Sequence, residues 1–267
     1  MKKIVLTFAV LSLGVGLLCA GPEPLPSGKE MKQVAPAPPP TSCFNWAGFY
    51  VGAFGGYKFN SVDLDLSLGG DWNTIPAGRD FVLAHAPNDL DHSGAEAGGL
   101  LGYNFQWGCW VLGLEADGGY LWARDSDFEG FFANPPAIGS FDIRTSFKTH
   151  YLLTVAPRFG YAIGRWLPYI TGGFAYGDLQ FRQEFPFRPP SNNVQRGDAA
   201  DANPGWMVGG GLQYALTDHW SVRVQYQFID LGSVEFDSFF HQAPTFFGHE
   251  EAELREHNVS AAIMYKF

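Results

Sequence analysis

From Phe44 to Phe267 the chain repeats one pattern. Ten to fourteen residues alternate apolar side chains with polar residues or glycine, and then a very short turn or a long polar stretch follows. A period of two sends successive side chains to opposite faces, so each run reads as a strand with one apolar face. The first run sets Phe49, Val51, Ala53, Tyr57 and Phe59 against Tyr50, Gly52, Gly56 and Lys58. The second sets Leu101, Tyr103, Phe105 and Trp107 against Glu96, Gly102, Asn104 and Gln106. The third sets Trp110, Leu112, Leu114, Tyr120 and Trp122 against Gly113, Glu115, Asp117 and Gly119. The fourth, sixth, seventh and eighth runs, near 150–161, 206–214, 220–228 and 258–267, follow the same rule. The fifth, Leu167 to Asp178, is the least regular, and Ile170, Phe174 and Tyr176 read as its apolar face.

Eight such runs predict an all-β chain, an eight-stranded antiparallel up-and-down barrel. Short turns fall at Gly108-Cys109, Ile163 to Trp166 and Thr217 to His219, and long connections at about 61–92, 124–146, 180–204 and 231–255. Alternating short turns and long loops, with strands of 9–11 residues sufficient to cross a bilayer, is the arrangement of a transmembrane barrel. A soluble barrel around a ligand is the alternative, with its apolar face inside. Composition favours the membrane: aromatics reach 16%, glycines number 33, and charged residues are 16% where a soluble domain carries about 25%. Trp and Tyr also recur at the ends of the apolar faces, as interfacial girdles require.

The N-terminus predicts export. Lys2 and Lys3 precede an apolar run from Ile4 to Leu18, and Cys19-Ala20-Gly21 offers a small residue for cleavage. This reads as a signal peptide over 1–20. Residues 21–42 contain seven prolines and read as an extended periplasmic spacer; the barrel then occupies 43–267. The net charge of −10 argues against nucleic acid as a partner, because phosphate contacts need clustered Lys and Arg.

The strand sequences resemble the opacity-like outer-membrane β-barrel family of small surface antigens. The matching stretches are Phe44-Asn45-Trp46-Ala47-Gly48-Phe49-Tyr50-Val51-Gly52, Gly102-Tyr103-Asn104-Phe105-Gln106, Gly113-Leu114-Glu115-Ala116-Asp117, Arg158-Phe159-Gly160-Tyr161-Ala162, Tyr169-Ile170-Thr171-Gly172-Gly173 and Asp230-Leu231-Gly232. The resemblance covers about 44–267, in strands rather than loops. It implies an outer-membrane location and a structural or antigenic role, with porin-like members. It also implies that the terminal aromatics Tyr265 and Phe267 are read by the barrel-assembly machinery. Gln213 and Gln225 stand where many relatives are expected to carry acids.

Strand parity sends Lys58, Glu96, Glu115, Asp117, Arg158, Arg223 and Lys266 into the lumen. Eight strands leave room for little more than side chains, so these charges are expected to pair as a plug rather than line an ion path. The external connections are acidic: 61–92 holds six acids and one base, 230–256 seven and one. Asp63, Asp65, Asp89 and Asp91 lack calcium-loop spacing, and no metal or other cofactor is expected. Cys43 and Cys109 both fall at the periplasmic end of adjacent strands, in an oxidising compartment, and are expected to form a disulfide. The function expected is a structural surface protein supporting the envelope, with loops for adhesion or host contact and with lipid and lipopolysaccharide as surroundings. A narrow pore is the alternative. A lipid A-modifying enzyme, with His92-Ser93 and Glu96, is the minor one, since adjacent strand residues point to opposite faces.

Overall fold

The computed structural model describes residues 43–86, 88–123, 126–132, 140–148, 150–186, 194–240 and 243–267. Residues 1–42, where a signal peptide and a Pro-rich spacer are expected, lie outside them. Among the described residues there are ten strands: β1 (Gly48–Gly70), β2 (Asp89–Trp107), β3 (Trp110–Ala123), β4 (Ser126–Phe132), β5 (Phe141–Lys148), β6 (Tyr151–Tyr161), β7 (Trp166–Pro186), β8 (Val194–Ala215), β9 (Trp220–Phe240) and β10 (Ala243–Lys266). A 3-10 turn (Asp71–Thr74) and helix α1 (Pro76–His85) follow β1. Eight strands close a ring in the order β7-β6-β3-β2-β1-β10-β9-β8, and β8 returns to β7. All of these pairings are antiparallel. The other two form a hairpin: β4 pairs with β5, and β5 pairs with the upper part of β7.

The expected apolar faces point outward. Phe49, Leu101, Leu114, Leu153, Ile170, Val208, Val224 and Ile263 are exposed, while Tyr50, Glu115, Arg158, Gln213 and Arg223 are buried. Exposed aromatics gather at two levels. Trp107, Trp110, Trp166, Trp220 and Phe267 ring the short-turn end; Tyr57, Phe59, Trp122, Tyr151 and Trp206 ring the other. Along β1 the levels are Phe49 and Phe59. Ten steps of about 3.3 Å at a tilt near 40° give roughly 25 Å, the height of a membrane barrel's apolar band.

The four long connections are corrected by the structure. They are mostly strand, not loop: β1 runs eleven residues past Phe59 to Gly70, and β7, β8, β9 and β10 extend to match. The reason is visible in an inversion of the residue type on each face. In the lower part of β1 the outward residues are apolar and Lys58 points in. Above it Ser61, Asp63, Asp65 and Ser67 face out, while Val62, Leu64, Leu66 and Leu68 turn inward. β10 changes likewise, from Val259, Ala261 and Ile263 outside to Glu251, Glu253 and Arg255 outside, with Ala252 and Leu254 buried. β9 does so from Arg223, Gln225 and Gln227 inside to Ile229, Leu231, Val234 and Phe236 inside. β1 and β10 keep their phase, and β9 slips by one residue at Gly232-Ser233; the solvent changes from lipid to water, so the preferred outward residue changes from apolar to charged.

The extension is closed at its top by Trp72 and α1. Pro76 starts the helix, where its missing N–H costs nothing. Trp72 and Val82 are buried with Phe141, Ile143, Phe185 and Phe240 in a small apolar core. A second apolar layer, including Val62, Ile229, Leu231 and Leu254, lies lower in the extension.

Candidate functional site

The lumen is filled in layers from the short-turn end. The first layer is the segment before β1. Trp46 is buried with Val111, Ala162, Leu167 and Ala215. Trp46 N–H donates to Gln106 Oε1 (2.6 Å), Gln106 Nε2 to Phe44 O (3.1 Å), Asn104 Nδ2 to Trp46 O (3.2 Å) and Phe44 N–H to Gly164 O (3.2 Å). A disulfide joins Cys43 to Cys109, with Cα atoms 5.5 Å apart. The segment is therefore tied across the mouth of the barrel. Lys266 belongs here and not to the lumen network expected of it. It donates to Asn45 O and lies 5.0 Å from the Phe44 ring. It is the last residue of β10, level with the mouth and below the buried charges. Phe267, which follows, is exposed, and its N–H donates to Phe49 O.

Above the mouth sits a triad of one carboxylate between two guanidinium groups. Glu115 accepts from Arg223 (2.6 Å), from Arg158 (3.0 Å) and from the Tyr50 hydroxyl (2.7 Å). Arg158 also donates to Gln213 Oε1 (2.7 Å) and lies 4.1 Å from the Tyr169 ring, whose hydroxyl donates to Gln225 (2.5 Å). The glutamines standing in expected acidic positions thus serve as acceptors for this group. Gly113 is needed beside it, because a Cβ there would lie 2.8 Å from Arg158 Cγ.

Higher again, a lysine sits between two carboxylates. Lys58 Nζ is 3.3 Å from Glu96 and 3.1 Å from Glu256. Glu256 is the residue that sequence reasoning missed, since it adjoins a stretch read as loop; its even spacing with Asn258 and Ser260 on one face was the available signal. Asp117 stands apart from both triads as far as ion pairs go. It accepts from Thr154 Oγ1 at 3.3 Å and lines, with Glu96, Arg223, Gln227 and Asn258, a cavity of about 10 Å³, room for roughly one water. The structure brings together five of the seven predicted charges as ion pairs and leaves Asp117 and Lys266 outside them.

The outer wall of the extension is acidic. Asp63 lies opposite Glu253, Asp65 opposite Glu251, and Glu251 opposite Glu235; Arg255 bridges Asp63 (3.4 Å) and Glu253 (2.6 Å). Beside this row the exposed rings of Phe239 and Phe247 face each other across β9 and β10, whereas Phe240 turns inward to Trp72 and Phe246 packs against it. The side chains of Asp89, Asp91, His92, Phe131 and Phe132 lie outside the described residues.

A family model described as outer membrane protein beta-barrel domain matches residues 44–267. The 31 kDa outer-membrane immunogenic protein of Brucella melitensis biotype 1 is 26% identical over 255 residues, covering 87% of this chain and 88% of that protein. The 25 kDa outer-membrane immunogenic protein of Brucella abortus biovar 1 is 26% identical over 210 residues, covering 78% and 77%. Among solved structures, the outer membrane protein OprG from Pseudomonas aeruginosa aligns over 85% of this chain and 98% of its own at 15% identity, with a TM-score of 0.41.

Proposed function

Since the chain belongs to the outer membrane protein β-barrel family, we propose that it acts as a sealed structural barrel of that membrane, presenting an acidic surface extension for contact with other cells or molecules. The filled lumen is the observation that most supports this reading. A solute would have to pass the disulfide-tied mouth, two ion triads and two apolar layers, and each buried ion pair is costly to open. Lipid and lipopolysaccharide are the partners proposed for the band between the girdles, and the barrel-assembly machinery for Tyr265 and Phe267. A role as a surface antigen accords with the names of the Brucella relatives. Catalysis is not part of the proposal. Among the described residues, His85, His150, His219, His249 and His257 hydrogen-bond with Phe81 O, Asp178, Lys266 O, Asp237 and the Tyr226 hydroxyl respectively, and none of these bonds joins a serine to a base in the manner of an activated nucleophile.

The test separates extension from barrel. A strain lacking the protein is complemented with the full chain or with a version whose strands are rejoined just above the upper girdle. The short version restores detergent resistance and loses adhesion to host cells or surfaces. Failure of both versions to change either trait overturns the proposal.

A further inference from the structure

Between the two apolar layers of the extension lies a thin polar one, and its centre is a carboxyl group with no cationic partner among the described residues. Glu250 is 3% exposed. It pairs with Leu66 on β1 and Phe236 on β9, seven residues above His257, the β10 partner of the upper girdle residue Phe59. Its inward neighbours are uncharged. Ser238 Oγ donates to Glu250 Oε1 (2.8 Å), and Gln195 Nε2 donates to Ser238 Oγ (2.9 Å). The Gln183 side-chain amide lies 2.6 Å from Glu250 Oε2 and 3.4 Å from Thr145 Oγ1.

Among the described residues, the charged groups of the surrounding strands face elsewhere. Asp65 on β1, Glu235 and Asp237 on β9, His249 and Glu251 on β10, Arg182 on β7 and Arg196 on β8 are exposed. On β5, Arg144 is exposed and engages Asp142 at 3.6 Å. On β7, Glu184 engages Arg196 at 2.9 Å. His249, hydrogen-bonded to Asp237, acts on Glu250 through space when protonated, and it is exposed. The Gln183 amide reaches both carboxyl oxygens, so with Ser238 it gives Glu250 neutral partners in place of a cation.

We propose that Glu250 is a proton-binding latch, holding the cap formed by Asp71–Thr74 and α1 closed while its carboxyl is protonated. Loss of the proton leaves a charge held by neutral groups between two apolar layers. Opening the cap returns that charge to water, at the cost of exposing Trp72, Phe240 and Phe246. Burial pushes the Glu250 carboxyl up to about 8, against about 4.3 in an open chain. The folded value is the raised one, so the closed cap is fully stabilised below about pH 4.3 and loses that stabilisation as pH rises through 8. Between those values the opening equilibrium grows about tenfold per pH unit and levels off above 8.

Hydrogen exchange of residues 71–86, followed by mass spectrometry on the full chain in nanodiscs and corrected for base catalysis of exchange, tests this. From pH 6 to pH 8 the wild type is expected to exchange up to about a hundredfold faster. Glu250→Gln, which keeps shape and cannot ionise, is expected to be flat with pH, and His249→Asn to keep the wild-type slope. A flat wild type, an unchanged slope in Glu250→Gln, or a slope lost in His249→Asn would overturn the latch. None of these results bears on whether the lumen conducts or the surface adheres.

Discussion

Replacing Glu115 by alanine tests the lumen most severely, because one carboxylate there serves three donors. The substitution takes their shared acceptor from Arg158, Arg223 and the Tyr50 hydroxyl at once, all buried. Removing one partner of a buried ion pair costs about 3–5 kcal/mol, and Glu115→Ala belongs at the top of that range. Arg158→Ala is milder, since Glu115 keeps Arg223 and Tyr50; so is Arg223→Ala, since it keeps Arg158 and Tyr50. The three form one network, so Glu115→Ala and Arg223→Ala combined should fall short of their sum by about 1–3 kcal/mol. The assay is urea unfolding from lipid vesicles, followed by the fluorescence of the girdle tryptophans. Equal midpoints for Glu115→Ala and wild type, or additive effects of the pair, would refute the reasoning that these charges hold the lumen shut.

Three further outcomes follow from other parts of the barrel. Replacing Cys43 and Cys109 by serine is expected to lower stability by about 4 kcal/mol on the chain-entropy account for a separation of 66 residues, measured by the same urea titration; the Trp46 contacts should still hold the segment in the mouth, read as unchanged protection of its amide. Gly98→Ala should cost about 1–3 kcal/mol, because the new methyl would sit 2.7 Å from both Gly119 Cα and the Phe54 ring, and backbone cannot yield as a side-chain tip can. Raising salt should weaken Arg255→Ala's small effect to nothing, since its bridges to Asp63 and Glu253 are exposed and such pairs contribute about 0–1 kcal/mol.

The barrel was readable because a membrane strand obeys one rule along its whole length. Phe49, Val51, Tyr57 and Phe59 against Tyr50 and Lys58 fix the faces of β1 without reference to any other strand. The extension was hidden by the same rule applied too narrowly. Val62, Leu64, Leu66 and Leu68 alternate as cleanly as the residues before them, but with the apolar side turned inward and acids outside, which reads as a polar loop when apolar-out is the template. Glu256 went unassigned for that reason. Lys266 was placed in the lumen because parity gives a face and not a height. The helix α1 carries the weakest signal of all: ten residues whose burial depends on Trp72 and on strands far away in sequence.

Single-channel recording in planar bilayers bears most directly on the sealed barrel. Purified full-length protein, with its disulfide intact, is expected to insert and give no stable open-channel steps at moderate voltage and salt. Regular conductance steps that scale with salt concentration and persist in independent preparations would mean that the layers described above do not close the lumen.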